Sequence, residues 1–399
     1  MNQDSDTDPR VGRTMRQLAI AAFASSLSMR VCDPMLPQLA DEFATSVTDL
    51  AAVITAFTIA YGIFSLIHGP LGDRRGKLGV IGVAALVAAA GSLACMTAQG
   101  PASLILFRFL TGAACAAIIP LSLAWIGDSV RFDGRQQTLA RFASAGIAGL
   151  IAGQALGGVF AGTLGWRSAF VVPAVLFLVA GWLVRRSASQ MPAPAPSASS
   201  TGVLAGYVDL LRNRWARFLM IAVSFEGGLT FGALAFVPSY LHLRFDLPLW
   251  HAGLVVAAYG VGGLLFSARA RSIIAALGES RMAIVGGLLL ASGFCGTLLA
   301  PRWEWVVLTC GIAGLGFTML HNTLQNQATQ AHPKARGTAI AGFALCLFLG
   351  QSVGVAAAAG IIERAGFGWA FGSLGACLAA LGFIVSGRLT GRRLAVGVG

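Results

Sequence analysis

Residues 69–79 read "GPLGDRRGKLG" and lie between two long apolar runs, roughly 50–69 and 78–98. One acid and three bases crowded among four glycines do not suit the hydrocarbon of a bilayer, where a charge costs roughly 3 kcal/mol. They suit a short polar turn, with glycine allowing the chain to reverse between two apolar helices. The stretch therefore reads as the loop of a membrane hairpin.

The rest of the 399 residues repeats that plan. The chain is 56% hydrophobic and 11% charged, against about 25% charged in soluble domains, which excludes a water-soluble enzyme of one or two domains. About 20 residues at 1.5 Å each cross a hydrocarbon layer of about 30 Å. Twelve apolar stretches meet that length, near 16–39, 50–69, 78–98, 102–127, 137–163, 167–184, 218–241, 250–268, 282–300, 303–328, 337–362 and 367–387. Each is predicted to be a helix, because backbone polar groups in lipid must be satisfied within the segment. The predicted fold class is an all-α integral membrane protein with twelve transmembrane helices. Its 51 glycines favour close helix packing.

The net charge of +12 does not gather into a patch or tail, so nucleic acid is not an expected partner. The expected partners are the lipid bilayer, a small-molecule substrate and protons, and the chain is expected to be a monomer. With the N-terminal segment cytoplasmic, 21 of the 28 basic residues fall on that side, while Asp41, Glu42, Asp49, Asp246 and Glu304 fall opposite. The positive-inside rule then puts both termini in the cytoplasm, and short loops favour a bacterial inner membrane. Residues 1–15 lack the basic start of a signal peptide. All seven cysteines lie in apolar runs and read as packing residues. No cofactor or metal is expected, since no metal-ligand spacing is visible.

Residues 185–217 form the longest break, a Pro/Ala/Ser linker followed by an amphipathic piece expected at the membrane surface. It divides the chain into an N-terminal six-helix bundle, 1–184, and a C-terminal one, 218–399. A shift of 201 residues aligns Arg135 with Arg336, Phe142 with Phe343, Gly149 with Gly350, Gly153 with Gly354, Ala169 with Ala370 and Phe170 with Phe371. Two parallel repeats of six helices are the plan of many secondary transporters, with substrate bound at the midplane between them. The run Gly149, Gly153, Gly157 and Gly158 offers a smooth helix face, either for sliding between the halves or for ordinary tight packing.

The opening loop fits the pattern G-x-L-x-D-R-x-G-[RK] at Gly69, Leu71, Asp73, Arg74, Gly76 and Lys77, and on it the chain resembles the major facilitator superfamily. The resemblance implies two pseudo-symmetric six-helix bundles working by alternating access. It also implies that this loop is a conformational latch whose partner acid is Asp128. Three further stretches resemble twelve-helix drug/proton antiporters of the bicyclomycin-resistance kind. They are "DPMLPQLADEF" at 33–43, "LFRFLTG" at 106–112, in which Arg108 would assist proton transfer, and "GLIAGQALGG" at 149–158. The last departs from its family pattern, carrying Gln154 where proline is usual.

Charges inside the predicted spans are candidates for function. Arg30 and Asp33 are three residues apart on one helical face. Counting residues from the span ends puts Asp33 and Arg108 at similar depth, about 10 Å from the outer surface, and Glu226 at another. Asp33 is the expected proton site, tuned by Arg108 and Arg30, with Glu226 a second acid for proton or substrate. Burial and a neighbouring guanidinium act on a carboxylate in opposite senses, so alternating exposure switches its protonation. A permanent ion pair that only positions helices is the competing reading. "HNTLQNQ" at 321–327 puts a polar stripe on an apolar helix, with His321 and Asn322 expected to line the cavity or to join two helices. Phe57, Tyr61 and Trp125 are candidate aromatic walls, and kinks are expected near Pro34, Pro37 and Pro120.

No nucleophile–base pair or HExxH supports an intramembrane enzyme, and no GxxxxGK[ST] supports a nucleotide-driven pump. The expected function is a proton-coupled antiporter exporting small amphipathic compounds. The alternative is a proton-coupled transporter of a polar or anionic metabolite such as a sugar or organic acid.

Overall fold

The computed structural model describes residues 9–130, 132–190, 208, 210, 212–331 and 336–397. Arg131, Lys334 and the linker stretch 191–207 lie outside them, as does much of the expected amphipathic piece. Among the described residues all regular structure is helical: α1 (Pro9–Arg30), α2 (Leu36–Phe43), α3 (Ala51–Arg75), α4 (Lys77–Met96), α5 (Pro101–Cys115), α6 (Ile118–Ser129), α7 (Phe132–Thr163), α8 (Val171–Ala188), α9 (Arg214–Leu234), α10 (Val237–Phe245), α11 (Leu249–Leu299), α12 (Trp303–Ala331) and α13 (Arg336–Gly397).

Nine helical segments among the described residues are long and apolar enough to cross a membrane. Two of these, Leu249–Leu299 and Ala339–Arg392, are far longer than one crossing needs. Each contains one residue with non-helical backbone, Gly278 at φ 66° and Gly366 at φ 81°. A positive φ is open to glycine without a Cβ penalty, so the chain turns there. The twelve apolar stretches fall largely within observed helix, with the first, fourth and seventh interrupted.

Prolines explain the interruptions. A proline has no N–H for the carbonyl four residues back and crowds it, so a helix yields just before the ring. The first stretch stops at Arg30, passes through a 3₁₀ turn at Asp33–Met35 and resumes as α2 with Pro37 in its first turn. The fourth breaks at Ala116–Ala117, ahead of Pro120. The seventh breaks at Ala235–Phe236, ahead of Pro238. The first two gaps fall where kinks were expected, near Pro34, Pro37 and Pro120, and the one before Pro238 is a kink the sequence reading did not include.

The 201-residue shift reappears in the backbone. Gly165 and Gly366, related by it, both take positive φ, at 84° and 81°. The starts of α2 and α10, Leu36 and Val237, are related in the same way. Gly149 and Gly153 of α7 sit against the carbonyls of Phe23 and Leu27 on α1, while Gly350 and Gly354 of α13 sit against those of Ser224 and Gly228 on α9. Both partners of each contact move by the same offset, so the repeat is one of packing as well as of sequence.

Between the repeats, α3 meets α13 through a 2.7 Å hydrogen bond joining the Thr58 and Ser352 hydroxyls and through Tyr61 against Phe348, centroids 4.4 Å apart. Helix α7 meets α11 where Gly158 lies on the Leu249 carbonyl and beside Gly253. That contact is near the ends opposite the Arg-rich loop. Gly149, Gly153 and Gly157 do not face the other repeat: the first two dock α7 onto α1, and Gly157 sits against Val31 and Pro34 just beyond its end. Of the predicted sliding face, Gly158 alone reaches across.

Candidate functional site

Asp33 is fully buried, and its Oδ2 accepts a hydrogen bond from Gln154 Nε2 at 2.8 Å and one from Arg30 at 3.4 Å. Its position follows from the local fold: α1 has just ended, Pro34 prevents its resumption, and the 3₁₀ turn directs Asp33 toward α7. The close approach of α7 that brings Gln154 within reach depends on Gly153, whose absent side chain leaves room for the Leu27 carbonyl and the Arg30 Cβ. Oδ1 of Asp33 has no hydrogen-bond partner among the described residues.

Arg30 turns its guanidinium across the interface onto Phe231 of α9, 4.1 Å from the ring centroid. A cation over a ring in a desolvated setting is worth about 2 kcal/mol. Phe231 continues into Phe317 at 5.1 Å, and Phe317 stacks on His321 at 5.0 Å. His321 Nδ1 lies 2.9 Å from Oε2 of Glu226, which is fully buried. The two buried acids, expected at separate depths, thus terminate one chain of contacts running Asp33, Arg30, Phe231, Phe317, His321, Glu226. Beside it is a cavity of about 20 Å³ lined by Arg30, Gln154, Phe231 and Tyr259, among others. That volume holds about one water molecule and no organic solute.

Arg108 is fully buried and does not pair with Asp33. It donates to the Ser28 carbonyl at 2.8 Å and lies 4.2 Å from the Phe57 ring centroid. Because α1 stops at Arg30, its last carbonyls lack partners within the helix, and a guanidinium at a helix C-terminus satisfies both the hydrogen bond and the dipole. Phe57 therefore supports Arg108, and Tyr61 belongs to the contact between the repeats. Trp125 packs in an apolar cluster with Leu18, Ile81 and Phe142, away from the cavity beside Arg30.

The polar stripe of α12 divides. His321 is 19% exposed in its side chain and reaches Glu226, with the partly buried Asn322 beside it. Lower down, Asn326 and Gln327 donate to Glu279 at 2.6 and 2.9 Å, tying α12 to the Gly278 turn. That lower part joins helices.

In the opening loop, Gly76 at φ 84° separates α3 from α4. Lys77, not Arg74, holds Asp128, at 2.7 Å, and it also lies 3.4 Å from Asp73. Burial draws the Lys77 ammonium toward release of its proton, but the two carboxylates outweigh this and raise its pKa above the ordinary lysine value. On the other face, Glu42 accepts from Trp166 at 2.6 Å and from Arg167. Those bonds overcome partial burial and hold its carboxyl below the usual range.

Gln154, Phe231, Tyr259 and Ser28 were not among the expected site residues. Only Gln154 carried a signal, as the departure from the antiporter pattern.

Residues 18–275 match the family described as Major Facilitator Superfamily, and the chain belongs to it. It is accordingly a multi-pass membrane transporter and not an enzyme. It is 27% identical over 338 residues to the uncharacterized MFS-type transporter YceJ of Bacillus subtilis, covering 82% of this chain and 83% of that one. The probable L-galactonate transporter of Escherichia coli is 24% identical, over 70% of this chain and 66% of its own. The quinolone resistance protein NorB of Staphylococcus aureus is 25% identical over 44% of this chain and 37% of its own. The crystal structure of a mutant of the nucleoside transporter NupG superposes with a TM-score of 0.74 at 14% identity, covering 95% of this chain and 99% of that one, which is a likeness of fold.

Proposed function

We propose that this transporter is a proton-coupled antiporter that exports small amphipathic compounds by alternating access, with Asp33 as the proton site. The observation that carries the reading is the buried Asp33 carboxylate, held by Arg30 and Gln154 and joined through Phe231, Phe317 and His321 to Glu226 across the two repeats. Chains of intramembrane carboxylates and histidines are the usual material of proton relays. In this reading Asp33, Arg108 and Glu226 serve coupling, Arg108 by fixing the end of α1. Substrate is met by Arg30, Asp33, Glu226, His321 and Asn322, beside aromatic rings suited to amphipathic cargo. The 20 Å³ cavity is then the collapsed, cargo-free site.

The architecture assigned is twelve crossings, with Gly278 and Gly366 turning within two of the long helices, arranged as bundles 1–184 and 218–399 about a linker at 185–217. Both termini are read as cytoplasmic at a bacterial inner membrane, a reading the Arg-rich loops support, and the protein is read as a monomer. Gly69, Asp73, Arg74, Gly76, Lys77 and Asp128 form the latch. NorB supports export. The galactonate relative and the position of Arg30 beside the cavity support a second reading, proton-coupled transport of an anionic metabolite.

The test is efflux of a cationic fluorescent dye from cells expressing the protein or its Asp33→Asn form, with and without a protonophore. Efflux that is proton-dependent and lost in the variant is expected. Proton-dependent efflux that persists undiminished in Asp33→Asn overturns the proton-site assignment. Absence of dye efflux from both, with uptake of a sugar acid dependent on Arg30, favours the second reading.

A further inference from the structure

A large cavity lies away from the interface between the repeats. It is a groove of about 920 Å³ on the outer flank of the first repeat, walled by α3, α4 and α5 and closed at one end by the last turn of α8. Val83, Val87 and Leu110 line it and are about half exposed on a surface that faces the bilayer. From Gly79 to Ala94 its α4 wall runs about 22 Å at 1.5 Å per residue, more than half of a hydrocarbon layer of about 30 Å.

The groove's chemistry is one-sided. Arg75, the last residue of α3, and Arg185, near the end of α8, line the same end, and no carboxylate lines the groove. Neither arginine has an ion-pair partner among the described residues. His68 lies two helical turns deeper on α3, its Nδ1–H donating to the Phe64 carbonyl at 2.8 Å. Two guanidiniums at the membrane boundary present forked donors matched to a phosphate, and the long apolar channel leading away from them matches a hydrocarbon chain.

We propose that this groove binds an anionic phospholipid, its phosphate held by Arg75 and Arg185 and one acyl chain lying along Val83, Val87 and Leu110. Basic pockets between transmembrane helices take acidic headgroups in this manner. Two unneutralised arginines favour a lipid of net negative charge over a zwitterionic one. None of the residues proposed for proton coupling or substrate lines the groove, although Leu71, Arg75 and Gly79 belong to the 69–79 loop, so the site stands whether or not the antiport reading does.

The full-length protein is reconstituted into phosphatidylcholine vesicles doped with phosphatidylglycerol carrying a diazirine on one acyl chain. The vesicles are illuminated, and labelling of the peptide spanning residues 77–96 is quantified. A phosphatidylcholine diazirine serves as comparison. The expected result is strong labelling by the anionic probe, falling about 25-fold in Arg75→Ala/Arg185→Ala at roughly fivefold per basic residue, with the zwitterionic probe unaffected. Val87→Trp, which fills the groove and leaves both arginines in place, is expected to lower labelling by the anionic probe as well. Equal labelling by the two probes, or labelling by the anionic probe that persists in the double variant, overturns the proposal. Insensitivity to Val87→Trp overturns the placement of the acyl chain.

Discussion

Arg30 and Phe231 occupy the same position in the two repeats, 201 residues apart, and their side chains meet with the guanidinium 4.1 Å from the ring centroid. A pseudo-twofold axis thus runs between a cation and an aromatic ring. Equivalent positions in the two repeats come into contact only where the repeats are close, so this pair ties the interface between them to the proposed proton site, Asp33.

Phe231→Ala removes about 2 kcal/mol of that contact, enough to shift an equilibrium between closed and open interfaces roughly thirtyfold toward the open form. Spin labels at Leu164 and Leu299, which are 72% and 82% exposed at the ends opposite the Arg-rich loop, report the separation. Double electron–electron resonance is expected to reveal a longer-distance population in the variant. An unchanged distance distribution counts against the pair as a closure contact.

Gln154 supplies the shorter of the two hydrogen bonds to Asp33, and its own backbone carbonyl lies against Gly253 of the second repeat. Gln154→Leu removes a hydrogen bond to the buried Asp33 carboxyl, and bonds to charged groups contribute about 1.5–3 kcal/mol. The midpoint of the pH–rate profile of proton-driven transport is expected to move. Gln351→Leu removes a fully buried glutamine with no partner among the described residues and is expected to leave the midpoint in place. Equal profiles for Gln154→Leu and the wild type mean that the bond does not bear on coupling.

The sequence makes the local features legible and leaves the choice of distant partners hidden. Arg30 and Asp33 are separated by one helical turn, so their pairing follows from spacing alone. The turn at Gly76 follows from charge and glycine in a short stretch, and the break before Pro238 was equally readable from a missing N–H. Arg108 chose the Ser28 carbonyl over Asp33 because α1 stops at Arg30, a boundary that depends on Pro34 and cannot be fixed by counting depth. Gln154 meets Asp33 across 121 positions because glycines let α7 lie on α1, and no pattern within either helix states that distance. The assignment of Asp128 to Lys77 likewise depends on how α4 rotates after a residue of positive φ.

The paired glycine contacts give a stability prediction with internal controls. A Cβ on Gly153 or Gly354 would run into backbone, the Leu27 and Gly228 carbonyls respectively, while one on Gly12 or Gly127 meets nothing within 4 Å. Overpacking costs about 1–3 kcal/mol, and a backbone obstacle has little freedom to yield. Gly153→Ala and Gly354→Ala are each expected to lower the temperature at which monodisperse protein survives heating in size-exclusion chromatography. Gly12→Ala and Gly127→Ala are expected to leave it unchanged, and losses alike in all four variants would remove packing as the cause.

Lys77 is the hub of the proposed latch, pairing with both Asp73 and Asp128, and this separates its substitution from that of Arg74. The pair with Asp128 is 2.7 Å long, but Asp128 is 64% exposed, so solvent screens the attraction and Lys77→Ala costs under about 1 kcal/mol of stability. Because the pKa of Lys77 is raised in the folded protein, the stabilisation is complete below the ordinary lysine value and is lost only as pH rises through the raised one. Transport is therefore expected to show no latch-dependent change between about pH 6 and 9. Within that window Lys77→Ala is expected to reduce transport more than Arg74→Ala, since only the first severs Asp128. Exchanging the charges in Lys77→Asp/Asp128→Lys is expected to restore part of the rate lost in either single variant. A double variant no faster than the slower single one would show that proximity of the two residues, rather than their attraction, accounts for the contact.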